Sequence, residues 1–350
     1  MRVLQLGHYP PPNGGVQTNL VAIRTFLRHQ GVPCAVINIT RHRKTDSDEV
    51  YYPKTAFGLI RLLLRLDYDI IHLHVGGILT RRLLGLGLLC TFLPACKSVM
   101  TFHSGGYPAS AEAKSIGPKS LAGFVLRRFD GLIGVNPEII GFFRRLSVSP
   151  ERMRLIYPHS FLPEEHPAAT LPPSLASFFN VHNPVLISVG LLEPEYDLPL
   201  QIEVLGHVRR KFPSAGLVLI GSGSLEQQIR STICARLYAD DILLCGDVPR
   251  VTTMQAISRA QLMLRTTLYD GDAISVREAL HLGTPVIASD NGMRPSGVHL
   301  VPKSDLNSLL HAIEDELSHP VTTRPQSSSD CTNVQVVLDF YRELARTTQS

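Results

Sequence analysis

Apolar residues in this chain follow two spacings in turn. Short runs such as Val3-Leu4-Gln5-Leu6, Cys34 to Ile39, Ile70 to His74, Ser98 to Phe102 and Leu132 to Val135 have the length of strands. Between them apolar positions recur at helical intervals, as in Val16 to His29. A second series opens with Val185-Leu186-Ile187-Ser188-Val189. It continues through Leu217 to Ile220, Ile242 to Cys245, Leu262 to Leu264 and Val286 to Ala288. Strands alternating with helices predict parallel sheets covered on both faces, because a parallel strand can start only after a long crossover. Pro158 to Pro184 is rich in Pro, Ser and Ala and weakly periodic, Thr322 to Asn333 is polar, and Val334 to Ala345 reads as a closing helix. The expected organisation is an α/β fold: a first Rossmann-like domain at 1–161, a linker at 162–183, a second Rossmann-like domain at 184–330 and a helix at 331–350.

With 350 residues, 44% of them hydrophobic, the chain can fill two cores. Its six cysteines (34, 90, 96, 234, 245, 331) form no CxxC pair, which points to a reducing compartment and away from a disulfide framework or a zinc site. The opening MRVLQLG reads as a strand rather than a signal peptide. The longest apolar stretch, Leu83 to Cys96, is fourteen residues and contains Pro94. That is too short for a hydrocarbon core of about 30 Å, so a cytoplasmic or peripheral protein is expected.

Charge adds a division that the net value of +4 conceals. Residues 1–161 hold 20 of the 34 Lys and Arg and 9 of the 30 Asp and Glu, a net +11; the remainder carries −7. Paired arginines recur in the basic half at Arg81-Arg82, Arg127-Arg128 and Arg144-Arg145, the last two near Phe124, Phe142 and Phe143. Such a surface fits an anionic membrane, although solvated helix faces give the same pattern. Nucleic acid is disfavoured as a partner, since Trp is absent and no aromatic platform or known module is present.

The densest chemistry lies in YDGDAISVREALHLGTPVIASD, Tyr269 to Asp290. Asp270 stands in a turn with Gly271, Asp272 is in N-cap position, and Ala273, Val276, Ala279 and Leu280 form an apolar stripe. Gly283 and Pro285 end the helix ahead of the next strand. Glu278 is then roughly 9 Å along the axis from Asp272. A helix N-terminus between two carboxylates suits a diphosphate flanked by hydroxylated rings, which is the shape of a nucleotide sugar. Three other places carry candidate chemistry. Pro10 to Val16, with Gly14 and Gly15, follows the first strand and opens the first helix. His103 ends a strand, where parallel sheets bind ligands. His72 and His74 share a strand face at a spacing that could serve a metal, but no Cys or carboxylate partner accompanies them. Gly221-Ser222-Gly223 lacks the third glycine of a dinucleotide fingerprint.

The Tyr269–Asp290 segment resembles the signature of retaining, GT-B-fold glycosyltransferases of family 4 (glycosyl transferases group 1), with Asp270, seven residues, Glu278-Ala279-Leu280 and Gly283-Thr284-Pro285-Val286 in step. The first acid is Asp where the family usually has Glu. The resemblance covers essentially the whole chain and implies two Rossmann-like domains facing a cleft, with the last helix returning to the N-terminal domain. It implies a nucleotide-sugar donor and a glycan or lipid-linked acceptor, as in cell-envelope polysaccharide or glycolipid synthesis, without a metal. By the same resemblance Asp270 and His103 hold the transferred sugar and Glu278 the ribose. Gly14 and Gly15 contact phosphate and acceptor, and Gly271, Asp272 and Ala273 lie at the donor-side turn. Asp270-Gly271-Asp272 also mimics the metal-binding DxD of single-domain glycosyltransferases, an architecture unlike this one.

One departure bears on activity. The family opens its second domain with Gly-Arg and, five residues after that Arg, Lys, both facing the donor diphosphate; here Leu191 and Tyr196 stand in those places. Arg265, Arg277 and Arg294 are the nearest replacement cations, with Arg265 the first choice because it ends a strand. The rival reading is a catalytically silent GT-B-like protein that binds a sugar or a partner.

Overall fold

Runs of valine, isoleucine and leucine pair as two wholly parallel sheets in the computed structural model, which describes residues 1–10, 14–40, 44–158, 171–269, 273–319 and 332–346. The chain divides into two units, Met1–Leu162 with Asp330–Ser350, and Pro163–Ser329.

In the first unit β1 (Val3–Gly7), β2 (Cys34–Asn38), β3 (Val50–Tyr51), β4 (Ile70–Val75), β5 (Lys97–Phe102), β6 (Gly131–Gly134) and β7 (Met153–Leu155) lie in the order β3-β2-β1-β4-β5-β6-β7. The helices are α1 (Gly15–His29), α2 (Ala56–Arg65), α3 (Arg81–Phe92), α4 (Ala111–Ser115), α5 (Leu121–Leu126) and α6 (Pro137–Arg145). In the second unit α7 (Pro173–Val181) precedes β8 (Val185–Val189), α8 (Leu198–Lys211), β9 (Gly216–Ile220), α9 (Glu226–Cys234), β10 (Ile242–Gly246) and α10 (Arg250–Arg259). There follow β11 (Leu262–Arg265), α11 (Ile274–His281), β12 (Val286–Ser289), β13 (His299–Val301) and α12 (Leu306–Ser318), and the strand order is β10-β9-β8-β11-β12-β13. The last helix, α13 (Thr332–Arg346), belongs to the first unit.

Strand alternation sends successive side chains to opposite faces, so each sheet carries two cores. In the first unit α1 and α13 cover one face through Ile23, Phe26, Leu27, Val337, Leu338 and Tyr341. The opposite face packs against α3, α5 and α6, with Leu63 of α2. In the second, α8 lies on one face and α10 and α11 on the other. The helices leaving β1 and β4 therefore depart to opposite faces, as do those leaving β8 and β11. Each such divergence opens a crevice at the strand C-termini.

Two sequence expectations change. Pro173–Val181, inside the stretch read as linker, is helix α7, with Leu175 and Phe178 buried; proline fits the first turn of a helix, so its composition misled. The arginine pairs divide between two settings, since Phe142 and Phe143 are buried whereas Phe124 (47% exposed) and Phe92 (60%) are not. Arg127 donates to the carbonyls of Pro118 (2.7 Å) and Leu146 (2.8 Å), and Arg145 donates to Ala113 O (2.8 Å) while lying over the Phe142 ring. Arg127 and Arg145 thus close loop ends, while Arg128 is exposed and lies over the Phe92 ring at 4.5 Å. Further exposed apolar residues stand on α2, at Phe57, Ile60 and Leu64.

His72 and His74 are buried on the α1/α13 side of β4. His72 bonds the Tyr341 hydroxyl of α13 through Nδ1 and Thr101 Oγ1 through Nε2 (2.7 Å). Burial, with a smaller push from His103, brings His72 down to about 3, and burial holds His74 well below 6.5. Native imidazoles that stay neutral bind fewer protons than unfolded ones below pH 6.5, so stability must fall with pH there. The contribution of both is complete above pH 6.5 and is lost as pH falls below it, down to about 3 for His72. Urea unfolding between pH 7 and pH 4.5 should show the first unit losing up to about 1.4 kcal/mol per pH unit for each of the two histidines. A flat profile over that range would mean that both rings protonate in the folded protein.

Candidate functional site

Each unit carries one cluster of candidate residues at its crevice. In the first unit β1 ends at Gly7, where an added Cβ would lie 3.0 Å from His74 Cβ and 2.7 Å from Leu20 Cδ1, so only glycine lets β1 and β4 close up here. His103 follows β5, its backbone N–H bonded to Val75 O (2.7 Å). Its Nε2 lies 3.2 Å from His74 Nδ1, and the two rings stack with centroids 5.5 Å apart. His74 Nε2 in turn meets Gln5 Oε1 at 2.9 Å. Burial, then the neighbouring His8, pulls His103 down to about 3, and burial also lowers His8. The ring is neutral at physiological pH.

Gly14 is the N-cap of α1 and Gly15 its first residue, with no side-chain cap. Helices α2 to α6 all start on a capping side chain, from Thr55, Thr80, Ser110, Ser120 and Asn136. The first N–H groups of α1 keep their positive end of the helix dipole without an internal acceptor. Pro11, Pro12 and Asn13 of the same loop lie outside the described residues.

In the second unit the crevice is built on the Val189 carbonyl at the end of β8. It accepts from Arg265 Nη1 (2.7 Å) at the end of β11 and from Ser275 Oγ (3.3 Å) in the first turn of α11. Arg265 is 5% exposed, and its guanidinium lies over the Tyr196 ring at 4.6 Å. Both pack against Gly190, where a Cβ would stand 2.2 Å from Tyr196 and 2.8 Å from Arg265 Nη1. Tyr196 is itself fixed, its carbonyl accepting from Thr266 Oγ1 (2.9 Å), which accepts from Gln201 Nε2 (2.7 Å). Leu191 is half exposed. The buried cation of this crevice is therefore Arg265, set at the strand exit where Leu191 and Tyr196 offer none.

The N-cap of α11 is Ala273, with no side-chain cap. This corrects the expectation for Asp272, since the helix starts one residue later than its spacing implied. Asp270, Gly271 and Asp272 themselves lie outside the described residues. The stripe Ala273, Val276 and Ala279 is buried as its spacing requires. Glu278 is 5% exposed, and its Oε1 accepts from Arg250 Nε at 2.9 Å. Arg250 was not legible as a partner, because it lies 28 residues away at the start of another helix. Arg277 is partly exposed on α11, turned from the Glu278 side. Arg294 donates through Nε to Ser289 O (3.1 Å) and through Nη2 to Thr267 Oγ1, at the exit of β12. No group of three or more His, Cys, Asp or Glu among the described residues is arranged to hold a metal ion. Among these residues no helix is long and apolar enough to cross a membrane.

Known proteins agree with this architecture. Residues 1–159 match the glycosyl transferase 4-like domain, and residues 176–300 match glycosyl transferases group 1. No curated protein sequence matches the chain. Among solved structures it is similar to Anabaena HepE in complex with UDP-glucose, at 16% identity and a TM-score of 0.72 over 100% of this chain and 99% of that one. It is also similar to the catalytic domain of starch synthase IV from Arabidopsis thaliana bound to ADP and acarbose (12% identity, TM-score 0.70, 99% of each chain). A glycosyltransferase from Rickettsia africae resembles it at 14% identity and a TM-score of 0.69 over 98% of each chain. With two parallel α/β units and both family domains in order, the chain belongs to the GT-B-fold glycosyl transferases group 1.

Proposed function

We propose that the protein is a retaining glycosyltransferase, moving a sugar from a nucleotide-diphosphate donor to a glycan or lipid-linked acceptor in cell-envelope polysaccharide or glycolipid synthesis. The observation that carries this reading is Arg265, a buried guanidinium at the crevice of the second unit, against Gly190 and Tyr196. UDP-glucose in HepE and ADP in starch synthase IV support a nucleotide-diphosphate donor. In the reaction the bond from the anomeric carbon to the diphosphate oxygen breaks, and the acceptor hydroxyl bonds to that carbon on the same face. Its proton passes to the departing phosphate. Charge grows on the diphosphate as the bond breaks, so a fixed cation and free helix N–H groups favour the transition state over bound donor. In this reading Asp270 and His103 hold the sugar and Glu278 the ribose, with Arg250 orienting its carboxylate. Gly14 and Gly15 meet phosphate and acceptor, and Gly271, Asp272 and Ala273 flank the donor. Arg277 is a secondary cation, and no metal takes part.

The acceptor reading brings in a membrane. Phe57 (75% exposed), Ile60 (40%) and Leu64 (69%) fall on one face of α2, beside exposed Lys54, Arg61 and Arg65 and with no acid in the helix. An apolar stripe bordered by cations fits the headgroup boundary of an anionic bilayer at the cytoplasmic side.

Two measurements test the reading. Arg265→Ala should lower kcat on a UDP-, GDP- or ADP-sugar by about 100-fold or more, the loss typical when a preorganised charge-stabilising donor is removed. Arg265→Lys, which keeps charge but loses the planar stack, should lose less. Leu191→Arg with Tyr196→Lys should recover much of the Arg265→Ala loss. Unchanged turnover in Arg265→Ala would exclude this cation, and neither binding nor turnover of any donor by the wild type would make the protein a silent member of the family. For the membrane, Phe57→Gln with Leu64→Gln should weaken sedimentation with phosphatidylglycerol vesicles by at least tenfold, from about 1.5–3 kcal/mol per apolar side chain removed from lipid. Arg127→Gln should leave it unchanged apart from its effect on folding. Equal binding by the α2 variant and the wild type would sink the α2 surface.

A further inference from the structure

Gln5, in the middle of β1, is wholly buried, and the orientation of its amide can be deduced. Its Nε2 faces the Leu20 carbonyl at 3.4 Å and the Cys34 sulfur at 3.1 Å. A carbonyl oxygen only accepts, so the NH2 end must be on that side and the oxygen on the other. The Cys34 thiol, pushed up to about 12 by burial, keeps its proton and turns toward Ala35 O, which leaves the sulfur to accept. Gln5 Oε1 also only accepts, so the proton of His74 sits on Nε2, 2.9 Å away. In a neutral imidazole the other nitrogen is then a bare acceptor. That nitrogen, Nδ1, lies 3.2 Å from His103 Nε2, which must supply the proton. His103 is left with a bare Nδ1. This atom has no hydrogen-bond partner among the described residues, and the ring is partly exposed at the exit of β5.

We propose that Gln5 and His74 are positioning residues that hold His103 in its Nε2–H tautomer, so that His103 meets its ligand through a hydrogen-bond-accepting Nδ1. The group opposite must bring a proton of its own: a sugar hydroxyl or an acylamino N–H fits, and a phosphate or carboxylate oxygen is repelled. The identity of that ligand rests on the glycosyltransferase reading; the tautomer does not. The relay also explains why a glutamine occupies a strand interior that is otherwise Val, Leu and Gly.

The test is nitrogen-15 NMR of the full chain labelled at histidine, together with steady-state kinetics. Wild-type His103 should show a protonated Nε2 and a bare Nδ1. Gln5→Met keeps the volume and removes the acceptor, and His74→Leu removes the relay; both should give mixed tautomers at His103. Each should lower kcat/KM by roughly five- to tenfold, the loss of one neutral hydrogen bond. His74→Asn puts an amide oxygen near the place of Nδ1 and should restore both the wild-type tautomer and most of the activity. A protonated Nδ1 in the wild type, or an unchanged tautomer in Gln5→Met and His74→Leu, overturns the proposal. A changed tautomer with wild-type kcat/KM overturns the ligand contact. If the wild type turns over no sugar nucleotide, the functional reading fails while the NMR arm still decides the tautomer, and an Nδ1 signal unmoved by glucose, N-acetylglucosamine or the sugar nucleotides then overturns the contact.

Discussion

All strands of each sheet run the same way, and this single constraint decides where chemistry can occur. Parallel strands deliver every C-terminal end to one edge, and the chain must leave that edge through helices on one face or the other. Where two neighbouring strands send their helices to opposite faces, nothing fills the gap between the departures. In the first unit this happens between β1 and β4, and in the second between β8 and β11. His74 and Arg265 stand at those two places, and the glycines at 7 and 190 leave the room that their side chains occupy.

The two crevices solve opposite electrostatic problems. The first gathers histidines where burial removes their charge, and it satisfies their nitrogens with neutral partners: Gln5, Thr101, Tyr341 and one another. The second keeps a guanidinium that cannot lose its proton, held against a carbonyl and the face of an aromatic ring. The first thus offers a neutral surface that sorts hydrogen-bond donors from acceptors, and the second a positive one.

Much of this was legible in the sequence because periodicity is set by the same burial that builds the cores. The strands of four or more residues, the first helix and the last were visible in the apolar spacing. β3, β7 and β13 were not, since two or three residues are too few to show a period. Helix α7 was masked by prolines that a linker and a first helical turn share. At the sites, His103 and Arg265 could be read from their place at strand ends. The partners that define their chemistry could not: Gln5 and Tyr196 act through contacts across 69 residues or across a ring face, which no local pattern encodes. Gln5 alone left a trace, as the one polar residue in a buried strand. Within the arginine pairs the roles were not separable, because a guanidinium that closes a loop, as in Arg127 and Arg145, and one that lies on an exposed ring, as in Arg128, have the same neighbours in sequence.

The return of α13 to the first unit has a consequence for how the protein is made. Val337, Leu338 and Tyr341 complete a core whose other walls are β1, β4 and α1, and Tyr341 reaches His72. On the ribosome those walls emerge early, whereas their cover is separated from them by the whole second unit. At roughly 5–20 residues per second the delay amounts to about ten to thirty-five seconds. Throughout that interval the nascent first unit presents one apolar sheet face half clothed, a surface on which a holding chaperone has time to settle before the chain's own last helix takes its place.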